Sequence, residues 1–159
     1  MSLEKLKSAG ELALIREEYE AAGCKLVFTN GVFDLLHVGH VRYLEQAREL
    51  GDALMVAVNG DASVRALKGP ERPINPEGDR AEVLAALECV DFVTIFQTVR
   101  VTELIGVIKP HIYVKGGDYT IDSLNPDERA ALEAAGSEVR ILALVPGKST
   151  TAMIEKWKS

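Results

Sequence analysis

Apolar runs alternate with amphipathic stretches along most of the chain. Short runs of β-branched and aliphatic residues have the composition of buried strands and lie near 25–29, 53–59, 91–96, 111–115 and 138–144. Between and after these runs, helices are predicted near 39–50, 61–67, 76–88, 100–108 and 126–135, and from about 149. Because strands that alternate with helices favour a parallel sheet, the pattern predicts an α/β fold, a single-domain Rossmann-like sheet with helices on both faces.

The residues before the first strand have their own helical pattern. Leu3, Leu6, Leu12 and Ile15 recur at helical spacing, and Gly23 is a stop signal. We therefore expect an N-terminal helix over 1–24 that packs on a domain formed by 25–159.

Two histidines stand at the first predicted strand-to-helix turn. Asn30-Gly31 is expected to end the first strand after Thr29, and His37-Val38-Gly39-His40 leads into the next helix. Ligands of parallel sheets bind at the carboxyl edge of the strands, and free N–H groups at a helix start favour anions. Imidazoles can donate hydrogen bonds to phosphate oxygens, so the position predicts a phosphate site. A pair of histidines that only cap the helix or fill the core is the alternative.

Charge and composition restrict the possible ligands. The 159 residues carry a formal net charge of −6 and contain no basic tract, so we expect no nucleic-acid partner. The third histidine, His111, brings no Cys or Glu at ligand spacing, so no metal site is predicted. We expect a cytoplasmic protein without a membrane segment, because no apolar run is long enough to span a bilayer and Cys24 and Cys89 fit buried free thiols.

Further polar residues follow other predicted strands. Asn59 and Asp61 flank Gly60 after the second strand and are candidate contacts for a sugar, although Asp61 is equally suited to cap a helix. Lys68 opens a loop rich in Gly and Pro, where an ammonium group can neutralise phosphate charge; a solvated surface lysine is the alternative.

The motifs together resemble a known family. Gly31-Val32-Phe33-Asp34 followed by His37-Val38-Gly39-His40 resembles the signature of the cytidylyltransferase-like nucleotidyltransferases, whose fold carries an HxGH motif. These enzymes join a nucleotide to a phosphorylated small molecule and release pyrophosphate. The resemblance runs from about Lys25 to Ile154. Three further blocks are similar to the adenylyltransferases of ADP-heptose synthesis: Leu67-Lys68-Gly69 with Arg72-Pro73, Val114 to Tyr119, and Ser149-Thr150-Thr151.

The resemblance implies roles for individual residues. The expected catalytic residues are His37, His40 and Lys68. The expected nucleotide-binding residues are Thr29, Asn30, Gly31, Phe33, His37, Gly39, His40, Lys115, Gly116, Ser149, Thr150 and Thr151. The expected substrate-binding residues are Asp34, Asn59, Asp61, Lys68, Arg72, Arg80 and Asp118. Purely structural roles are the alternatives for several of them. Phe33 fits the core, Gly116-Gly117 fits a plain turn and Ser149 fits a helix cap.

The implied reaction transfers AMP from ATP to a sugar 1-phosphate, D-glycero-manno-heptose 1-phosphate, in lipopolysaccharide biosynthesis. Mg²⁺ is expected to arrive with ATP, without an assigned protein ligand, and the resemblance implies a homodimer. The alternatives are a cytidylyltransferase or adenylyltransferase for glycerol 3-phosphate or another acceptor, and a non-catalytic nucleotide sensor. Gly147-Lys148 stands where the glycerol-phosphate cytidylyltransferase pattern has an arginine, which disfavours CTP.

Overall fold

Five parallel strands form one sheet in a computed structural model that describes residues 2–117, 119–143 and 154–156. The strands are β1 (Leu26–Gly31), β2 (Ala53–Asn59), β3 (Phe92–Phe96), β4 (Ile112–Gly116) and β5 (Glu138–Leu142). Their order across the sheet is β3-β2-β1-β4-β5, and every neighbouring pair is parallel. After β3 the chain returns past β1 to build the other half of the sheet, so a crevice opens where β1 and β4 end.

Helices cover both faces of this sheet. They are α1 (Ala9–Ala21), α2 (Val38–Glu49), α3 (Asp61–Lys68), α4 (Glu77–Ala85), α5 (Thr102–Ile108) and α6 (Pro126–Ala135). One core cluster joins the sheet to α2 and α4, and a second joins it to α1, α5 and α6. The predicted fold class is confirmed.

Alternate residues of each strand enter opposite clusters. Val27 and Val56 face α2 and α4, whereas Phe28 and Met55 face α1 and α5, and all four are fully buried. Because both faces are covered, the inner strand β2 is buried at all its residues and is almost entirely apolar, whereas Glu138 and Arg140 of β5 are exposed.

The N-terminal segment attaches to the outer strand β3. The Lys7 N–H donates a hydrogen bond to the Val93 carbonyl oxygen at 2.9 Å, and the Lys5 ammonium donates to the carbonyl oxygens of Leu87 and Val90. Leu12 of α1 is fully buried in the second core cluster. The segment therefore packs on the sheet domain.

Several predicted boundaries are wrong. Asn30 and Gly31 do not break β1, because they pair with Ala57 and Val58 of β2 and stay in the ladder.

The cysteines Cys24 and Cys89 are free but partly exposed rather than buried, because each lies in a turn between a helix and a strand.

Other boundaries differ by a few residues. The helix predicted from 76 to 88 covers Glu77–Ala85, and the one predicted from 100 begins at Thr102. The start predicted for the last helix, near 149, lies outside the described residues, while residues 154–156 are helical.

Candidate active site

A cleft of about 500 Å³ opens at the carboxyl ends of the central strands. Most of the predicted site residues line it, namely Asn30, Gly31, Phe33, Asp34, His37, Gly39, His40, Asn59, Lys68, Arg72, Lys115 and Gly116. These residues come from separate parts of the chain and meet because the strands that precede them end at the same edge of the sheet.

The two histidines form a reciprocal cap at the start of α2. Nδ1 of His37 accepts a hydrogen bond from the Gly39 N–H at 3.1 Å, and Nδ1 of His40 accepts one from the His37 N–H at 3.2 Å. The rings stack with their centroids 3.9 Å apart. Since each Nδ1 is an acceptor, the proton of each neutral ring is assigned to Nε2, which makes Nε2 a donor. Capping and phosphate binding, the two alternatives of the sequence, are therefore compatible.

His40 is held in its neutral form. Burial, and to a lesser degree the charge of a protonated His37, lowers the pKa of His40 to about 4. At neutral pH this ring therefore acts as an uncharged hydrogen-bond donor.

Gly31 and Phe33 shape the floor of the cleft next to these rings. A Cβ on Gly31 would lie 2.8 Å from Cε2 of Phe33, so a side chain at position 31 would displace the phenyl ring. Phe33 has a φ of 49°, a conformation that costs energy for a bulky residue, and its ring meets His40 edge-on at 5.5 Å between centroids. Phe33 is thus both core packing and cleft wall.

Asp34 holds the loop between α3 and α4. Its carboxylate accepts hydrogen bonds from the Arg72 Nε at 2.8 Å and from the backbone N–H groups of Ile74 and Asn75. Burial raises the pKa of this carboxyl, but the donated hydrogen bonds together outweigh burial and keep it below its usual range. The resemblance implies substrate binding for Asp34, whereas these contacts favour a role in positioning the loop.

Arg80 and Asp61 pair away from the cleft. The Arg80 guanidinium is buried and donates to the carbonyl oxygens of Asn75 and Val32 and, at 2.9 Å, to Asp61 Oδ1. Neither residue lines the cleft, which differs from the predicted direct contact with substrate. The physical reason is that Arg80 satisfies buried carbonyl groups beneath the loop, which only the folded packing reveals.

Thr29 is also set behind the cleft wall. Its hydroxyl hydrogen-bonds to the Tyr43 hydroxyl at 2.8 Å and donates to the Val114 carbonyl oxygen at 2.9 Å. Burial raises the pKa of Tyr43 to about 12, although the hydrogen bond with Thr29 opposes the shift. This cluster ties β1, α2 and β4 together under the histidines instead of presenting Thr29 to a nucleotide.

Positive groups collect around the cleft despite the negative net charge. Lys68 is exposed at the end of α3, and the Lys115 ammonium lies 4.8 Å from the centroid of the Tyr119 ring. Arg72 and Arg100 also line the cleft. Such a local cluster is what an anionic ligand of an acidic protein requires.

Sequence reasoning missed five cleft residues: Tyr43, Val99, Arg100, Val101 and Glu128. Val32, Leu67 and Tyr119, which belong to the family motifs, also line the cleft. Arg100 follows β3, just as Asn59 ends β2. It could therefore have been predicted from its position at the carboxyl edge of the sheet, as Asn59 was. Glu128 gave no signal, because it lies in a charged stretch that is typical of a solvated helix start.

Some predicted residues lie outside the part of the chain that the structure describes: Asp118, Ser149, Thr150 and Thr151. Within the described ranges, no group of three or more His, Cys, Asp or Glu side chains is placed to hold a metal ion. No helix among those residues has the length and apolarity needed to cross a bilayer.

The fold and the cleft define a doubly wound α/β protein whose candidate site lies at the switch point of the sheet. The chain belongs to the cytidylyltransferase-like family, whose profile matches residues 28–155. This membership confirms the predicted family, and it supports an enzyme of the nucleotidyltransferase type.

Known proteins similar to the chain agree with this assignment. It is 50% identical over 152 residues to the bifunctional protein HldE of Pelobacter propionicus and 51% identical over 152 residues to that of Geotalea uraniireducens, with 96% of the chain covered in each comparison. The chain spans 31% of the length of both relatives. A crystal structure of a lipopolysaccharide core biosynthesis protein from Thermoplasma volcanium is 30% identical with a TM-score of 0.64, over 77% of this chain and 98% of that one.

Proposed function

We propose that this chain is an adenylyltransferase that transfers AMP from ATP to D-glycero-manno-heptose 1-phosphate, with ADP-heptose and pyrophosphate as products. The observation that carries the proposal is the stacked His37–His40 pair, whose Nδ1 atoms are both engaged in the cap of α2. That arrangement makes Nε2 the donor of each ring, at a helix start that itself favours phosphate.

The chemistry needs no protein nucleophile. An oxygen of the sugar phosphate attacks the α-phosphorus of ATP, a new P–O bond forms, and the bond to the bridging oxygen breaks as pyrophosphate leaves with the electron pair. Negative charge grows on the non-bridging and leaving oxygens. Imidazole donors and cations placed around the phosphates stabilise that charge.

The described residues divide these tasks. His37 and His40 would donate to the phosphates of ATP, and Lys68 would neutralise charge from the exposed end of α3. Arg72 lines the cleft while its Nε is held by Asp34, so its orientation is fixed before substrate arrives. Asn59, with its amide bound to Ser63, is a candidate contact for the acceptor.

The choice of acceptor is supported by the relatives. Proteins named HldE are about half identical to this chain over nearly its whole length, and a structural neighbour is described as a lipopolysaccharide core biosynthesis protein. A nucleotide-activated heptose is a precursor that fits such a process.

Mg²⁺ is proposed to arrive with ATP. The described part of the chain offers no cluster of metal ligands, so the phosphate oxygens and water would supply most of the coordination. When bound, the ion would offset the charge of the leaving pyrophosphate. A homodimer, a cytoplasmic location and the absence of a nucleic-acid partner stay predictions.

A pyrophosphate-release screen tests the proposal. The purified chain is assayed with ATP or CTP, each combined with both anomers of heptose 1-phosphate and with glycerol 3-phosphate, and His40→Ala serves as the control for contaminating enzymes. Release with ATP and heptose 1-phosphate is expected. Release with CTP alone would contradict adenylyl transfer, and nucleotide binding without release for any pair would favour the sensor alternative.

A further inference from the structure

Glu128 is a buried carboxylate on the wall of the cleft. It is the third residue of α6, and its backbone N–H is held by Oδ1 of Asn125 at 3.3 Å. The residue is 5% exposed and lines the same cleft as the histidines. No described residue donates a hydrogen bond to its carboxylate or forms an ion pair with it.

This situation contrasts with the other buried carboxylate of the cleft. Asp34 is 3% exposed and accepts hydrogen bonds from Arg72, Ile74 and Asn75. Withdrawing a carboxylate from water is costly unless donors replace the water. Asp34 has its donors within the fold, whereas the Glu128 carboxylate has no donor among the described residues and lines the cleft, where a ligand can supply one.

The surroundings of Glu128 indicate what kind of ligand group fits. The Tyr113 hydroxyl donates to Asn30 Oδ1 at 2.8 Å, and Asn30 and Tyr119 also line the cleft. Burial raises the pKa of Tyr113, and the Glu128 carboxylate raises it further, so this hydroxyl remains protonated. An aromatic ring, an amide and a carboxylate together match the face and the hydroxyl groups of a sugar.

Phosphate is a poor ligand for the Glu128 carboxylate itself. A carboxylate repels phosphate oxygens, and the two histidines lie at the start of α2, which packs on the opposite face of the sheet from α6. A substrate whose phosphates contact the histidines can therefore extend its uncharged part toward α6.

We propose that Glu128 binds sugar hydroxyl groups of a substrate held in this cleft. The inference rests on the proposed function, because that function names the ligands. These ligands offer two sources of hydroxyl groups, the ribose of ATP and the acceptor heptose. A hydrogen bond to a charged acceptor contributes more than one between neutral groups, so the carboxylate sets substrate affinity as well as orientation.

The test uses E128A and E128Q, with D127N as the matched control. Asp127 is the preceding residue of the same helix start and is exposed, so D127N removes the same charge without reaching the cleft. Calorimetry gives Kd for ATP, for 2′-deoxy- and 3′-deoxy-ATP and for heptose 1-phosphate, and steady-state assays give KM for both substrates. Thermal melting of the ligand-free variants reports on stability.

We expect E128A to weaken the binding of one substrate on the order of tenfold, E128Q to weaken it less, and D127N to leave it unchanged. If the hydroxyls belong to ribose, the wild type binds a deoxy-ATP more weakly than ATP. E128A then binds that deoxy-ATP no more weakly than it binds ATP. If they belong to the acceptor, only the Kd of heptose 1-phosphate rises. The melting temperature of E128Q should not fall, because the carboxylate has no partner among the described residues.

Unchanged Kd values for both substrates in E128A and E128Q would overturn the inference, as would a lowered melting temperature of E128Q without any effect on binding. Because the Kd values do not depend on turnover, the two proposals fail separately. Pyrophosphate release with unchanged binding refutes only the role of Glu128. Altered binding without release in the wild type refutes only the reaction. E128Q keeps the side-chain shape, so the test survives even if E128A does not fold.

Discussion

The carboxylate of Asp34, with a fully buried side chain, accepts a hydrogen bond from Nε of Arg72 at 2.8 Å. The same carboxylate accepts the backbone N–H groups of Ile74 and Asn75. It therefore connects the end of β1 to the loop that follows Lys68. One buried group thus couples two walls of the cleft.

Replacing Asp34 should destabilise the fold. Asp34→Ala leaves Arg72 and two backbone donors without their acceptor, and breaking a buried pair costs about 3 kcal/mol or more. Urea denaturation measures the free energy of unfolding. Asp122→Ala is the control, because the Asp122 side chain is 91% exposed in its pair with Arg129, and removing it should cost less than about 1 kcal/mol. Equal losses in the two variants would contradict the coupling role.

His40→Ala should reduce turnover far more than stability. Loss of a donor that stabilises transition-state charge lowers kcat by about 10²–10³-fold, whereas loss of a helix cap costs about 1 kcal/mol. The assay is pyrophosphate release at saturating substrates.

His111→Ala is the matched control for His40→Ala. Nδ1 of His111 accepts the Leu26 N–H at 3.0 Å, and its Nε2 donates to Glu20 at 2.6 Å, outside the cleft. This variant should lose stability and keep its turnover. The reverse ranking would remove His40 from the mechanism.

Lys68→Gln should lower kcat with little change in stability. The side chain is exposed at the end of α3, so its removal disturbs no core packing, but the mobile positive charge is lost from the phosphates. The control is Arg65→Gln on the same helix, because Arg65 is also exposed and does not line the cleft. Both kcat and the melting temperature are measured for the two variants. A normal kcat in Lys68→Gln would exclude the proposed role.

Arg80→Gln, in contrast to Lys68→Gln, should lower the stability of the fold. Its guanidinium satisfies the carbonyl oxygens of Asn75 and Val32 and pairs with Asp61. Since a lost partner leaves buried groups unsatisfied, we expect a loss of about 3 kcal/mol in unfolding free energy. A variant with unchanged stability and a raised KM for ATP would instead indicate direct phosphate contact.

The pKa of His40 gives a pH prediction. Its folded-state value of about 4 lies below the ordinary 6.5, so the unfolded chain binds the proton more readily between these values. The stability contributed by neutral His40 is therefore complete above pH 6.5 and is lost as the pH falls toward 4. NMR titration of the ring protons should show half-protonation near pH 4, and a midpoint near 6.5 would refute the buried neutral ring.

Local sequence determined the parallel sheet and the position of the histidine turn. Apolar runs near 53–59 and helical spacing near 126–135 match β2 and α6, because burial on both faces and helix periodicity leave a direct trace in the chain. Asn30-Gly31 misled the interpretation, since a local turn preference is outweighed when the backbone pairs with a neighbouring strand.

The sequence by itself determined which chemistry is available, namely the paired imidazoles before a helix and the cations near the carboxyl edge of the sheet. Only the tertiary structure decided which groups face the cleft: it turns Arg80 and Thr29 inward and brings Glu128 from a charged helix start to the cleft wall. The physical reason is that residue type and local spacing set what a side chain can do. Its partners and its exposure depend on contacts between segments that are distant in the chain.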